Sequence, residues 1–230
     1  MPEPLIGDPR PTALSQGAVG FHGKIPARGD FVRFGLPRGF VATWDGWLQR
    51  VIAASRAELG DDWLPAWLEA AIWRFALSPG LCGPDAVLGL WMPSVDSVGR
   101  YFPLTLAIAV PEADPRELML EGGGFLAAAE QAGVAAVADG LAPDDLAARL
   151  VDATSAAPAD AGADPSRSLA RALWWTGGAP RSPAGSFVGD ELPDDATFCG
   201  MLDARRCPSP ILSEGPIFSE GPLFSEGWGS

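Results

Sequence analysis

Ala86-Val87-Leu88-Gly89-Leu90-Trp91-Met92 and, after a polar interval, Tyr101-Phe102-Pro103-Leu104-Thr105-Leu106-Ala107-Ile108-Ala109-Val110 are the two most apolar runs of the chain. A strand with one wet face alternates apolar and polar residues, and the second run is too continuous for that. Bounded by Pro93, Gly99 and Pro111, both read as strands covered on two sides. Helices supply the cover. Phe40, Val41, Trp44, Trp47, Leu48, Val51 and Ile52 recur at separations of three and four, which predicts an amphipathic helix over 38–59 that Gly60 ends. Trp63 to Ile72 predicts a second helix, with Pro65 in its first turn. Residues 115–138 and 143–151 predict two more, with Pro115 and Pro143 near their starts. Gly17 to His22 reads as a strand entering a loop, Ser168 to Thr176 as a returning strand, and Ala196 to Leu202 as a last short element. The class is α/β, a sheet between helices.

The chain has 230 residues, 47% of them hydrophobic, enough to bury a core as one domain. Acids outnumber bases by 29 to 16, a formal charge of −13, and such a field repels nucleic-acid backbones and anionic lipid. The imbalance is uneven: residues 1–110 carry nine bases and ten acids, residues 111–230 seven bases and nineteen acids. No run approaches the roughly 18 apolar residues that span a bilayer, so membrane insertion is not expected. The opening residues Met1 to Asp8 lack a basic n-region and an apolar h-region, so export is not expected either. Cys82, Cys199 and Cys207 are odd in number and lack CxxC spacing, which suits three reduced thiols in a cytoplasm. With His22 as the single histidine, no metal site is expected.

Composition changes twice. Residues 154–165 form a Pro- and Ala-rich stretch that reads as a mobile loop. Beyond Cys207, Pro210 to Gly227 is three tandem hexapeptides of the pattern Pro-apolar-apolar-Ser-Glu-Gly, closed by Trp228. Three such turns bury no core of their own, so they read as an irregular acidic tail, or else as a peptide whose Phe218, Phe224 and Trp228 dock in a groove.

Gly20-Phe21-His22-Gly23-Lys24 invites comparison with a phosphate-cradling loop, but Ala18 stands where its first glycine belongs and Ile25 where its Ser or Thr belongs. Lys24, Arg28, Arg33 and Arg38 lie within fifteen residues against only Asp30, a local surplus of three positive charges suited to an acidic or phosphorylated partner. Arg28-Gly29-Asp30 also spells an adhesion tripeptide, which chance explains. In the interval between the two apolar runs, Asp96 suits an Asx turn, and Arg100 suits a pair with Asp30 or Asp96 that fixes the loop. A hydrolase would need Ser94 or Ser97 as nucleophile, His22 as base and an aspartate to orient it, and no GxSxG elbow supports that. Trp73-Arg74-Phe75 and Trp174-Trp175 read as core wall, with a binding surface lined by tryptophans as the competing reading.

Taken together, Gly20 to Val32, then Trp44-Asp45-Gly46-Trp47-Leu48, then Trp73-Arg74-Phe75, then Pro93-Ser94-Val95-Asp96-Ser97-Val98-Gly99-Arg100-Tyr101-Phe102-Pro103-Leu104 resemble the signature blocks of the TagF family, also called ImpM, of bacterial type VI secretion clusters. Leu173-Trp174-Trp175 is similar to the family's second half. Cover runs from residue 17 to about 203, so the resemblance implies an N-terminal extension at 1–16, a TagF-like domain at 17–206 and a repeat tail at 207–230. It implies a three-layer α/β/α sandwich around a mixed sheet, with an irregular C-terminal tail. It further implies a cytoplasmic accessory protein, not an enzyme and without cofactor, that represses the apparatus after translation by binding a forkhead-associated scaffold protein. The candidate contacts are Lys24, Arg28, Arg33 and Arg100, with Gly23, Gly29, Asp30, Trp44, Trp47, Ser94, Asp96, Gly99 and Pro103 as structural motif residues. The competing expectation is a small-molecule or phosphate-binding domain with hydrolase or nucleotide-dependent activity in the same loops.

Overall fold

The computed structural model describes residues 13–156 and 171–207. The repeat tail and most of the 154–165 stretch therefore lie outside the described residues. Seven strands form one sheet: β1 (Ala18–Gly23), β2 (Val32–Phe34), β3 (Trp73–Leu77), β4 (Ala86–Met92), β5 (Leu104–Val110), β6 (Ala172–Thr176) and β7 (Gly185–Gly189). Their spatial order is β2-β1-β5-β4-β3-β6-β7, and every neighbouring pair is antiparallel. The expected sandwich is present, but its sheet is antiparallel throughout rather than mixed, because the strands at its centre are joined by short returns rather than helical crossovers.

β4 and β5 are buried along their whole length, as their apolar runs require. On one face lie α1 (Arg38–Leu59), α2 (Trp63–Leu68) and α6 (Asp195–Leu202); on the other lie α3 (Pro115–Glu121), α4 (Gly123–Ala138) and α5 (Pro143–Ala153). Strand alternation feeds both layers: Trp73, Phe75 and Trp174 join the α1 side, while Ala76, Leu173 and Trp175 join the α4 side. Each tryptophan among the described residues is at most 6% exposed. They are core wall, and the competing surface of tryptophans is not formed by them.

Three element boundaries differ from expectation for identifiable reasons. The helix expected over 115–138 is broken at Gly122, where a Cβ would strike Leu88 and the Leu118 carbonyl, so the chain passes the sheet too closely for a side chain. The second helix stops at Leu68, and Trp73-Arg74-Phe75 opens β3. The element at 196–202 is helical, started by an Asp194 side chain that accepts from the Thr197 N–H. The thiol expectation is also corrected. Cys207 lies one turn beyond α6 and is disulfide-bonded to Cys199, their Cα atoms 5.7 Å apart, because the turn at Asp203 carries the chain back. Cys82 is free, and burial pushes its thiol up to about 12.

Candidate functional site: two interlocked loops

The loop after β1 and the loop between β4 and β5 meet at the end of the sheet. Their junction begins at Gly23, whose φ of 146° and contact with the Pro103 carbonyl leave no room for a Cβ. Lys24 follows and turns inward. Its ammonium donates to Asp96 Oδ2 at 2.8 Å, and the two side chains are 7% and 0% exposed. Arg100 Nε donates to the same oxygen at 2.7 Å, while Asp96 Oδ1 accepts from the backbone N–H groups of Val98 (3.0 Å) and Arg100 (2.9 Å). Burial alone would raise the Asp96 carboxyl; the Lys24 ammonium, the Arg100 backbone and guanidinium and the Val98 N–H overcome it and hold the group well below the usual carboxylate range.

Further bonds tie the loops edge to edge. The Ser94 hydroxyl donates to the Lys24 carbonyl (2.7 Å), the Ser97 N–H to the Arg28 carbonyl (3.0 Å) and Arg100 Nη2 to the Gly29 carbonyl. Gly29 lies against Ser97, where a Cβ would sit 3.2 Å from Oγ. Val95 and Tyr101 bridge, and Gly99, at φ 85°, closes the turn between them. From below, Trp67 Nε1 donates to the Ser94 carbonyl (3.2 Å), anchoring the loop to α2. Trp44 Nε1 donates to Thr105 (2.9 Å) and Trp47 Nε1 to the Pro193 carbonyl (2.7 Å), which fixes α1 on the sheet next to the site.

The structure thus brings Lys24, Arg28 and Arg100 together but gives them different roles. Lys24 is corrected from a surface contact to a buried counter-ion, because Asp96, 72 residues away, takes its charge inward. Arg28 is exposed, and Arg100 is half exposed at 55% beside Asp30, with Nη2 and Oδ1 3.6 Å apart. Arg33 does not join this platform; it lies on β2 and lines a groove with Arg38. The local surplus of positive charge is therefore smaller than the sequence alone shows, since Lys24 and Arg100 pair with Asp96 and Arg100 also lies beside Asp30. In its place the platform offers apolar contacts that the sequence reading passed over: Phe31 is 47% exposed and Val98 67%. Phe31 is held by stacking on His22 (5.5 Å) and edge-on packing against Phe102 (4.9 Å), with Lys24 Nζ 5.1 Å from its ring centre.

The hydrolase arrangement is not assembled. His22 Nε2 is 3.0 Å from Asp45 Oδ1, on the α1 side of the sheet, whereas the Ser94 hydroxyl is given to the Lys24 carbonyl. No cluster of three or more metal-ligating side chains occurs among the described residues.

The carboxylates of the fold give a pH prediction. Asp96, Asp194 and Asp203 all have folded-state values below the unfolded one, Asp203 because Arg205 and Arg181 outweigh its burial and Asp194 because Thr197 donates to it. Such groups bind more protons when unfolded, so their stabilisation is complete above about pH 5 and is lost as pH falls through about 4 and below. Urea midpoints should be level from pH 7 to 5 and fall steeply from 5 to 3. An Asp96→Asn variant should show a shallower fall.

Residues 20–153, which hold both loops, match the family model described as the TagF N-terminal domain, type VI secretion system-associated. The chain belongs to this family and is a type VI secretion system-associated protein. It is similar to PA0076 from Pseudomonas aeruginosa PAO1, whose crystal structure at 2.05 Å resolution superposes with a TM-score of 0.63 at 33% identity, covering 86% of this chain and 100% of that one. No curated protein matches the sequence. No helix among the described residues is long and apolar enough to cross a membrane.

Proposed function

We propose that this chain is a cytoplasmic accessory regulator that restrains the secretion apparatus after translation by holding its forkhead-associated scaffold protein on the two-loop platform. The observation that carries the reading is the Lys24–Asp96–Arg100 lock. It fixes two segments distant in sequence into one surface before any partner arrives. Pre-set geometry of this kind lowers the ordering cost of association, which a flexible loop would have to meet from its contacts. Phe31 and Val98 provide the apolar centre, Arg28 and the outer edge of Arg100 the polar rim. The protein acts by holding another protein rather than by transforming a metabolite. The engagement of Ser94 and His22 with groups other than each other supports this.

An Arg28→Glu, Val98→Asp double variant alters only exposed side chains outside the lock. It should keep the far-UV spectrum and unfolding midpoint of the parent, yet capture the scaffold at least about tenfold less well, like charge and a lost apolar contact acting together. Undiminished capture by the folded variant rejects this surface.

A further inference from the structure

β2 is an outer strand, and an open groove of about 580 Å³ runs beside it. Phe21, Phe34, Leu36 and Val41 give it apolar walls, and Arg33 and Arg38 its charged rim. Phe34 is 40% exposed, Arg33 and Arg38 are exposed, and no described residue forms an ion pair with either arginine. Arg50, Arg74, Arg100, Arg181, Arg205 and Arg206, by contrast, are all paired. In a chain of net charge −13, an apolar trough flanked by two unmatched guanidiniums suits an acidic, partly apolar segment.

The chain carries such a segment. Residues 208–230 contain Glu214, Glu220 and Glu226 and neither Lys nor Arg. Each repeat puts an apolar residue two positions before its glutamate: Leu212 and Glu214, Phe218 and Glu220, Phe224 and Glu226. In extended backbone, residues i and i+2 share a face about 6.6 Å apart, so each unit presents one apolar group and one carboxylate side by side. The groove offers the complementary pair.

Length selects among the repeats. The described chain ends at Cys207, which lines a surface depression with Ala54 and Glu58 of α1. The β2 groove is lined by Arg38 and Val41 in the first turn of that helix, about 20–30 Å away at 1.5 Å per residue. Extended chain covers about 3.3 Å per residue, which carries Leu212 about 17 Å, Phe218 about 36 Å and Phe224 about 56 Å from Cys207. The first unit falls short; the second and third reach.

We propose that the C-terminal repeats fold back on their own domain, with the Phe-Ser-Glu unit at 218–220 or 224–226 seated in the groove beside β2, its ring on the apolar walls and its glutamate between Arg33 and Arg38. Tethering keeps the local concentration of these units high, and the second copy raises occupancy without any new contact. The seated segment covers the open strand edge, which otherwise invites pairing with other chains. A partner reaching for β2 must displace it. This inference does not depend on the scaffold reading, because neither Phe31, Val98 nor Arg28 lines the groove.

Hydrogen exchange on the full chain at low micromolar concentration tests it. Phe218→Ala with Phe224→Ala alters none of the described residues and should speed backbone exchange over residues 32–38 at least about threefold, the factor given by a segment seated about two-thirds of the time. Arg33→Glu with Arg38→Glu should do the same. Adding Glu220→Arg and Glu226→Arg to that arginine variant should restore slow exchange. Equal exchange in the parent and the phenylalanine variant overturns the proposal. Protection that grows with protein concentration and accompanies a dimer mass overturns it too, since the occupant is then the tail of a second copy.

Discussion

Trp44→Ala should lower the unfolding free energy by about 5 kcal/mol, the largest loss expected of any single substitution here. Trp44 is fully buried and central to the aromatic layer: its ring lies 4.6 Å from Phe75, 4.7 Å from Trp47, 5.3 Å from Phe40 and 5.9 Å from Trp174. Truncation removes contacts on four sides, leaves a void between α1 and the sheet, and deprives the Thr105 hydroxyl of its indole donor. Neighbours in a close-packed layer relax only partly into such a void. Since domains of this size are typically stable by about 5–15 kcal/mol, this loss is a third or more of the total, and the urea midpoint should fall accordingly. Trp44→Phe keeps most of the volume and loses the N–H, so it should cost about 2 kcal/mol. Urea titration followed by far-UV dichroism reads both.

Lys24→Met comes second, at about 3 kcal/mol. The thioether chain replaces the lysine stem in the same space, so packing is nearly kept and the loss reports the charge. Asp96 remains buried with Arg100 and two backbone N–H groups but without the ammonium that approaches from the core side. A carboxylate stripped of one such partner is costly, whereas removing both members of a pair is often mild. Adding Asp96→Asn to Lys24→Met should therefore cost less than the two single losses combined, the sign of direct coupling. Additive losses would mean that the pair is not what joins the loops. The same change frees Phe31 from the cation over its ring, so scaffold capture should weaken in Lys24→Met even where the domain remains folded.

Much of this architecture is legible from local pattern. The unbroken apolar runs of β4 and β5 dictate cover on both faces, and the three-and-four spacing of Phe40, Trp44, Trp47, Leu48 and Val51 dictates α1. What escapes is set by distant neighbours. The break at Gly122 arises from a close approach to Leu88 on β4, and nothing next to it in sequence signals that. β3 does alternate, Trp73, Phe75 and Leu77 against Arg74 and Ala76, but five residues following an apolar helix blur into it, and Arg74 makes sense only beside Glu130 of α4. β2 is three residues long and β7 is bounded by glycines, too brief for any period to show.

The site divides the same way. A count of charges around Lys24 finds Asp30 and cannot find Asp96, so it places on the surface a cation that long-range pairing draws inside. Conversely, Phe31 and Val98 read as ordinary apolar residues of their loops, and only the folded junction shows that both are left exposed there. Arg33 and Arg38 are part of the same sequence run as Arg28, yet the turn into β2 carries them to a separate groove.

The central claim is that the surface made by these two loops receives the scaffold. Hydrogen exchange of the full chain, alone and saturated with the forkhead-associated scaffold protein, tests it most directly, because the readout locates contact without altering any residue. The account predicts that exchange slows over residues 26–31 and 96–102. A tight complex that leaves both segments exchanging as in the free protein, with protection confined to other faces, would contradict it.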